Sequence, residues 1–160
     1  MITIFENFNN EINYIKMYKI FCDFLSKNIL DGYEINKNFR GRGYDYLCVS
    51  YNKKTQWMKH ESSDPIFILN FKPTKDEKSR KKISKFKIHL DISYQYNRRI
   101  HTNIDILLNF IKDTILKYSY NKKLTYKNDF FINDSYIEDI KNDLDEFDFE
   151  LFINAKNFNL

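Results

Sequence analysis

Apolar residues recur at helical spacing over the first thirty positions. Phe8, Ile12, Ile15, Tyr18, Cys22, Leu25 and Ile29 follow one another by three or four residues, one stripe of a 3.6-period helix. Asn9 or Asn10 can cap its start, with Glu11 in the first turn, and Asp31-Gly32 supplies a stop. Met17, Phe21 and Phe24 broaden the apolar side, which predicts a helix packed on two sides.

From Tyr33 the period shortens to two. Tyr44–Tyr51 alternates, Asn52-Lys53-Lys54 makes a turn, and Thr55–His60 returns as the second arm of a hairpin. Glu61–Pro65 reads as loop, Ile66–Phe71 as a strand, and the charged run Lys72–Lys82 as the connection to the next strand. That next strand has the clearest alternation in the chain. Phe86, Ile88, Leu90, Ile92 and Tyr94 face one way, and Lys85, Lys87, His89, Asp91 and Ser93 face the other. One apolar and one polar side predict an antiparallel sheet, with the apolar row buried against the first or second helix.

A helical stripe then returns with Ile104, Leu107, Leu108, Ile111, Ile115 and Tyr118, opened by a capping-box-like Thr102-x-x-Asp105. Residues 124–132 add a short strand. Ser135-x-x-Glu138 is a second capping box, ahead of a short helix marked by Ile137, Ile140 and Leu144. Phe147, Phe149, Leu151 and Ile153 alternate like a strand, although 140, 144, 147 and 151 also fit a continuing helix. The expected fold is therefore α+β, one domain over 1–160. It has an antiparallel sheet of about four to six strands, an N-terminal helix, and one or two C-terminal helices packed on the sheet.

Composition changes this picture little. The 160 residues include 21 Lys and 19 Asn but only 5 Arg, one Ala and one Val, the mark of an AT-rich genome. Charge distribution carries more information than total charge. Residues 35–99 hold sixteen basic against six acidic side chains, and residues 129–160 hold two against nine. The chain is a charge dipole with a basic middle and an acidic end. No apolar run approaches the roughly 20 residues of a membrane span, and the N-terminus lacks the pattern of a secretory signal, so a cytoplasmic protein is expected. Cys22 and Cys48 lack paired spacing and read as core residues.

Catalytic chemistry finds little support. His60, His89 and His101 form no zinc pattern, and with three glycines no phosphate-cradling loop is present. His89 and Asp91 share a strand face, which a polar sheet surface explains. A nuclease of the PD-(D/E)xK type needs two carboxylates on adjacent strands with a Lys two residues past the second. Asp64 with Asn70-Phe71-Lys72 has that spacing but lacks the second carboxylate. Asp76-Glu77-Lys78 has the letters but lies in a charged loop. No metal or other cofactor is expected, and the chain reads as non-enzymatic.

Two charged regions remain. Residues 72–87 carry eight basic side chains against two acidic ones, enough for a cationic hairpin that rests on phosphates. With Arg42, Lys78, Arg80, Lys81, Lys82, Arg98 and Arg99 as contacts, this gives a nucleic-acid-binding accessory protein as the alternative function. A plain solvated loop also explains it. The acidic end mixes carboxylates with aromatic rings, a combination suited to docking on a cationic protein. The favoured expectation is a protein-binding inhibitor of microbial conflict. It would be an immunity protein that neutralises a cognate nuclease-type toxin, or an anti-defence inhibitor of a basic effector. Its expected contacts are Glu138, Asp139, Asp143, Asp145 and Glu146, with Tyr136 and Phe147 as anchors.

Overall fold

The computed structural model describes residues 13–40, 45–53, 62–74, 85–93, 96–120 and 128–157. Helix α1 (Asn13–Asn28) leads into strands β1 (Tyr33–Asn38), β2 (Asp45–Lys53), β3 (Ser62–Pro73) and β4 (Lys85–Ile92). Helix α2 (Thr102–Tyr118), strand β5 (Asp129–Asn133), a 3-10 turn (Asp134–Tyr136), helix α3 (Ile137–Asp145) and helix α4 (Phe149–Asn157) complete the order. The strands form one five-stranded sheet in sequence order, and every neighbouring pair is antiparallel. This is the α+β architecture expected from the alternation.

The inner sheet face contributes Leu47, Val49, Phe67, Leu69, Phe71, Phe86, Ile88, Leu90, Phe130 and Ile132 to one buried cluster. Helix α1 lies across β2, β3 and β4, α2 runs beside β5, and α3 packs on α1 and α2. Phe71 receives the rings of Tyr18 at 5.8 Å and Phe21 at 5.6 Å, which locks α1 to the centre of the sheet. Of the row expected to be buried, Phe86, Ile88 and Leu90 are fully enclosed and Ile92 is half-buried at the strand end. Tyr94 lies outside the described residues.

In α1 the buried face is Tyr14, Met17, Tyr18, Phe21, Phe24 and Leu25. The stripe through Ile15, Cys22 and Ile29 is its half-buried flank. Of the expected helix, Phe8, Ile12 and the caps Asn9 and Asn10 lie outside the described residues. The stop holds: Gly32 has φ +87°, a conformation glycine adopts freely, and Tyr33 N–H reaches back to the Leu30 carbonyl at 3.1 Å.

Several boundaries differ from expectation. The segment 62–65 is strand, not loop. Ser50 faces Pro65 across a bulge at Val49/Ser50, and a bulge is one place in a sheet that tolerates a residue without an N–H. The partner of β2 is thus β3, and the arm expected at Thr55–His60 lies outside the described residues. Neither capping box forms. His101 precedes α2 without a side-chain cap, and Asp105 accepts from the Tyr96 hydroxyl at 3.0 Å instead. Before α3, the Asn133 side chain accepts from Ser135 N–H at 3.0 Å and starts the 3-10 turn. The strand pattern at 147–153 is also overruled, because Phe149–Asn157 is helical. Among the described residues no helix is long and apolar enough to cross a membrane.

Register decides which residues share an end of the sheet. Asn38, Asp45, Pro73, Lys85 and Asn133 lie at one end, and Tyr33, Lys53, Ser62 and Ile92 at the other.

Candidate functional site

Helix α3 divides its residues cleanly. Ile137, Ile140 and Leu144 are buried, while Glu138, Asp139, Lys141, Asn142, Asp145 and Glu146 are exposed. Three apolar positions at helical spacing leave the outer side to carboxylates, so Glu138, Asp139, Asp145 and Glu146 form one acidic face. Nine residues at about 1.5 Å each make this face about 13 Å long. Large apolar side chains stand exposed on either side of the helix in the chain. Tyr136, 42% exposed, precedes the helix, and Leu151 and Phe152, 65% and 44% exposed, follow it on α4.

Asp143 stands apart from the other acids. It accepts from Tyr118 Oη at 2.6 Å and Lys117 Nζ at 2.9 Å. Those two donors, Tyr118 first, hold its carboxyl below the ordinary carboxylate range, and the same bond pushes the Tyr118 phenol up. Asp143 therefore fastens α3 to α2, and its charge is already matched. The Tyr136 ring lies 5.4 Å from Tyr118 on the same seam. Here a cavity of about 390 Å³ opens, lined by Lys117, Tyr118, Ser119, Tyr120, Asn133 and Tyr136. Exposed Tyr120 and Tyr136 give the cavity an aromatic lining beside the acidic face.

Phe147 does not serve as a surface anchor. Its ring sits in the core at 9% exposure, 4.4 Å from Phe110 and 5.5 Å from Phe24. The exposed rings and chains of this region are instead Tyr120, Leu151 and Phe152. The run Leu151-Phe152-Ile153 carried the missed signal, since three consecutive apolar residues cannot all face inward on a helix with one buried side.

Of the residues expected to contact nucleic acid, Arg98 and Arg99 are the two within the described residues. Arg98 and Arg99 follow Ile92 at one sheet end, whereas the chain between Pro73 and Lys85 leaves and re-enters at the other. The eight residues of β4 put roughly 25 Å between Lys85 and Ile92, at about 3.4 Å per residue. Arg98 Nε lies 3.7 Å from the Asp105 carboxylate. Arg42, Lys78, Arg80, Lys81 and Lys82 lie outside the described residues.

His89 pairs across strands. Its Nδ1 lies 2.6 Å from Asp129 Oδ1, with Lys87 Nζ 3.9 Å from the same carboxylate, so Asp91 is not its partner. Asp64 and Asn70 lie on the same strand six residues apart, roughly 20 Å at about 3.3 Å per residue, which separates the carboxylate positions of the nuclease arrangement. His101 shares a 2.6 Å hydrogen bond with Tyr33 and lies among the rings of Tyr33, Tyr51 and Tyr96. Burial, then the bond to Asp105, raises the Tyr96 phenol, and burial raises Tyr33. This aromatic group pins the start of α2 to β1 and β2. Among the described residues no three His, Cys, Asp or Glu side chains converge as a metal site.

Compared with protein-family models, curated proteins and solved structures, the chain matches none.

Proposed function

We propose that the chain is a protein-binding inhibitor that docks a basic partner on the outer face of α3. The observation that carries this reading is the acidic helix face together with exposed apolar side chains just before it in the chain, Tyr136, and just after it, Leu151 and Phe152. Carboxylates steer a cationic partner into contact, and desolvated rings then supply the lasting affinity. Nuclease-type toxins and nucleic-acid-directed effectors carry cationic clefts over their substrate sites, so a plug with this surface suits an immunity or anti-defence role. The test is to add the purified chain to the protein it captures from its source cells and assay that protein's activity. Stoichiometric loss of activity supports the reading, and a bound but fully active partner contradicts it.

A nucleic-acid-binding role is the second reading, and one observation favours it. Lys72 and Lys87 stand opposite one another on β3 and β4, two cations side by side on the outer sheet face, with the Asp129 carboxylate 3.9 Å from Lys87.

A further inference from the structure

The outer face of β3, β4 and β5 is polar and ordered in rows. Lys72, Lys87 and Phe131 stand opposite one another in one row, and Asn70, His89 and Asp129 in the next. A cavity of about 360 Å³ opens here, lined by Lys72, Lys87, His89, Asp91, Asn128 and Asp129 among others. Asn128 closes one side with φ 50°, its carbonyl accepting the Leu90 N–H at 3.1 Å.

The charges in this cavity are sorted. Asp129 is engaged by His89 at 2.6 Å and by Lys87 at 3.9 Å. Asp91 lies four residues along β4 from Lys87, about 13 Å away at about 3.4 Å per residue. Lys72 has no acidic partner among the described residues. Phe131, 40% exposed, flanks Lys87 in the same row.

We propose that this face binds a single-stranded nucleic acid, an inference that rests on the second reading and is independent of the α3 surface. Lys72 and Lys87 hold phosphates, the Phe131 ring stacks a base, and Asn70 and His89 offer donors and acceptors to base edges. The single strand follows from the exposed Phe131 ring, on which a base can stack only when it is not already stacked within a duplex. Lys87 is shared with Asp129 at 3.9 Å, and a phosphate between the two ammonium groups would offset the repulsion that remains between Lys72 and Lys87.

The test is fluorescence anisotropy of labelled oligo-dT and oligo-rA from 50 to 200 mM salt, with thermal melting of every variant. Lys72→Gln and Lys87→Gln should each weaken binding about fivefold and reduce the salt slope by about 0.7. Lys72→Glu should abolish binding while raising the melting temperature, since it pairs with Lys87. Phe131→Ala should weaken binding about tenfold or more. If the single strand binds but only Lys81→Gln/Lys82→Gln weakens it, the site is wrong and the nucleic-acid reading stands. Absence of binding at 50 mM salt, or a preference for duplex, overturns the proposal, and absence of binding to either form removes the second reading with it.

Discussion

Asp143 and Phe147, four residues apart, were alike as candidate contacts and are both structural. The Asp143 carboxylate is held by Tyr118 and Lys117, so Tyr118→Phe should cost about 1 kcal/mol at neutral pH. Because the folded state lowers the Asp143 pKa, this stabilisation is present above the ordinary carboxylate range and is lost as pH falls through the lowered value. Melting of wild type and Tyr118→Phe should therefore converge in acid, and a difference that persists there would contradict the assignment. Phe147→Ala should cost on the order of 3 kcal/mol in denaturant unfolding, whereas Phe152→Ala should change stability by less than about 1 kcal/mol. Tyr18 works in the opposite pH range. Burial pushes its phenol up to about 12, so its stabilisation is complete below pH 10 and disappears as pH rises towards 12. Tyr18→Phe should lose less stability than wild type between pH 10 and 12, as read by unfolding titrations in that range.

At the scale of elements, periodicity located the longer helices and strands but not β1 (Tyr33–Asn38). The 86–92 alternation, the α2 stripe and the Ile137, Ile140, Leu144 spacing reappear as β4, α2 and α3. What stayed hidden depended on contacts between distant segments. Pro65 read as loop because the bulge that accommodates it belongs to the pairing of β2 with β3. Asp105 read as a cap because the sequence does not show that Tyr96 and Arg98 reach it first. The 147–153 segment fitted both periods, and packing on α2 through the Phe110 ring, which lies 6.0 Å from Phe152, accompanies the helical outcome. The acidic half of the candidate surface and the exposed Tyr136 were legible from the sequence, but Leu151 and Phe152 were not, since they depend on how α4 is turned. Helix α4 thus offers a test of its own. Leu151→Glu should leave stability within about 0.5 kcal/mol by thermal melting yet weaken partner binding, and equal binding would remove Leu151 from the surface.

For the whole molecule, the fold converts a charge dipole along the chain into two surfaces. The carboxylates of α3 face outward from the helical layer, and Lys72 and Lys87 face outward from the opposite side of the sheet. Each surface makes a different claim about the partner, and charge substitutions separate them without touching the core. The most direct measurement is capture from source cells, with and without nuclease treatment. It compares wild type, the triple variant Glu138→Lys/Asp145→Lys/Glu146→Lys and the double variant Lys72→Gln/Lys87→Gln. A basic protein that survives nuclease treatment, binds wild type and the lysine variant alike, and is lost by the triple variant is the predicted result. Its association rate should fall steeply with salt while its dissociation rate changes little. Recovery of nucleic acid alone, or capture that the triple variant retains and the lysine variant loses, would contradict the inhibitor account.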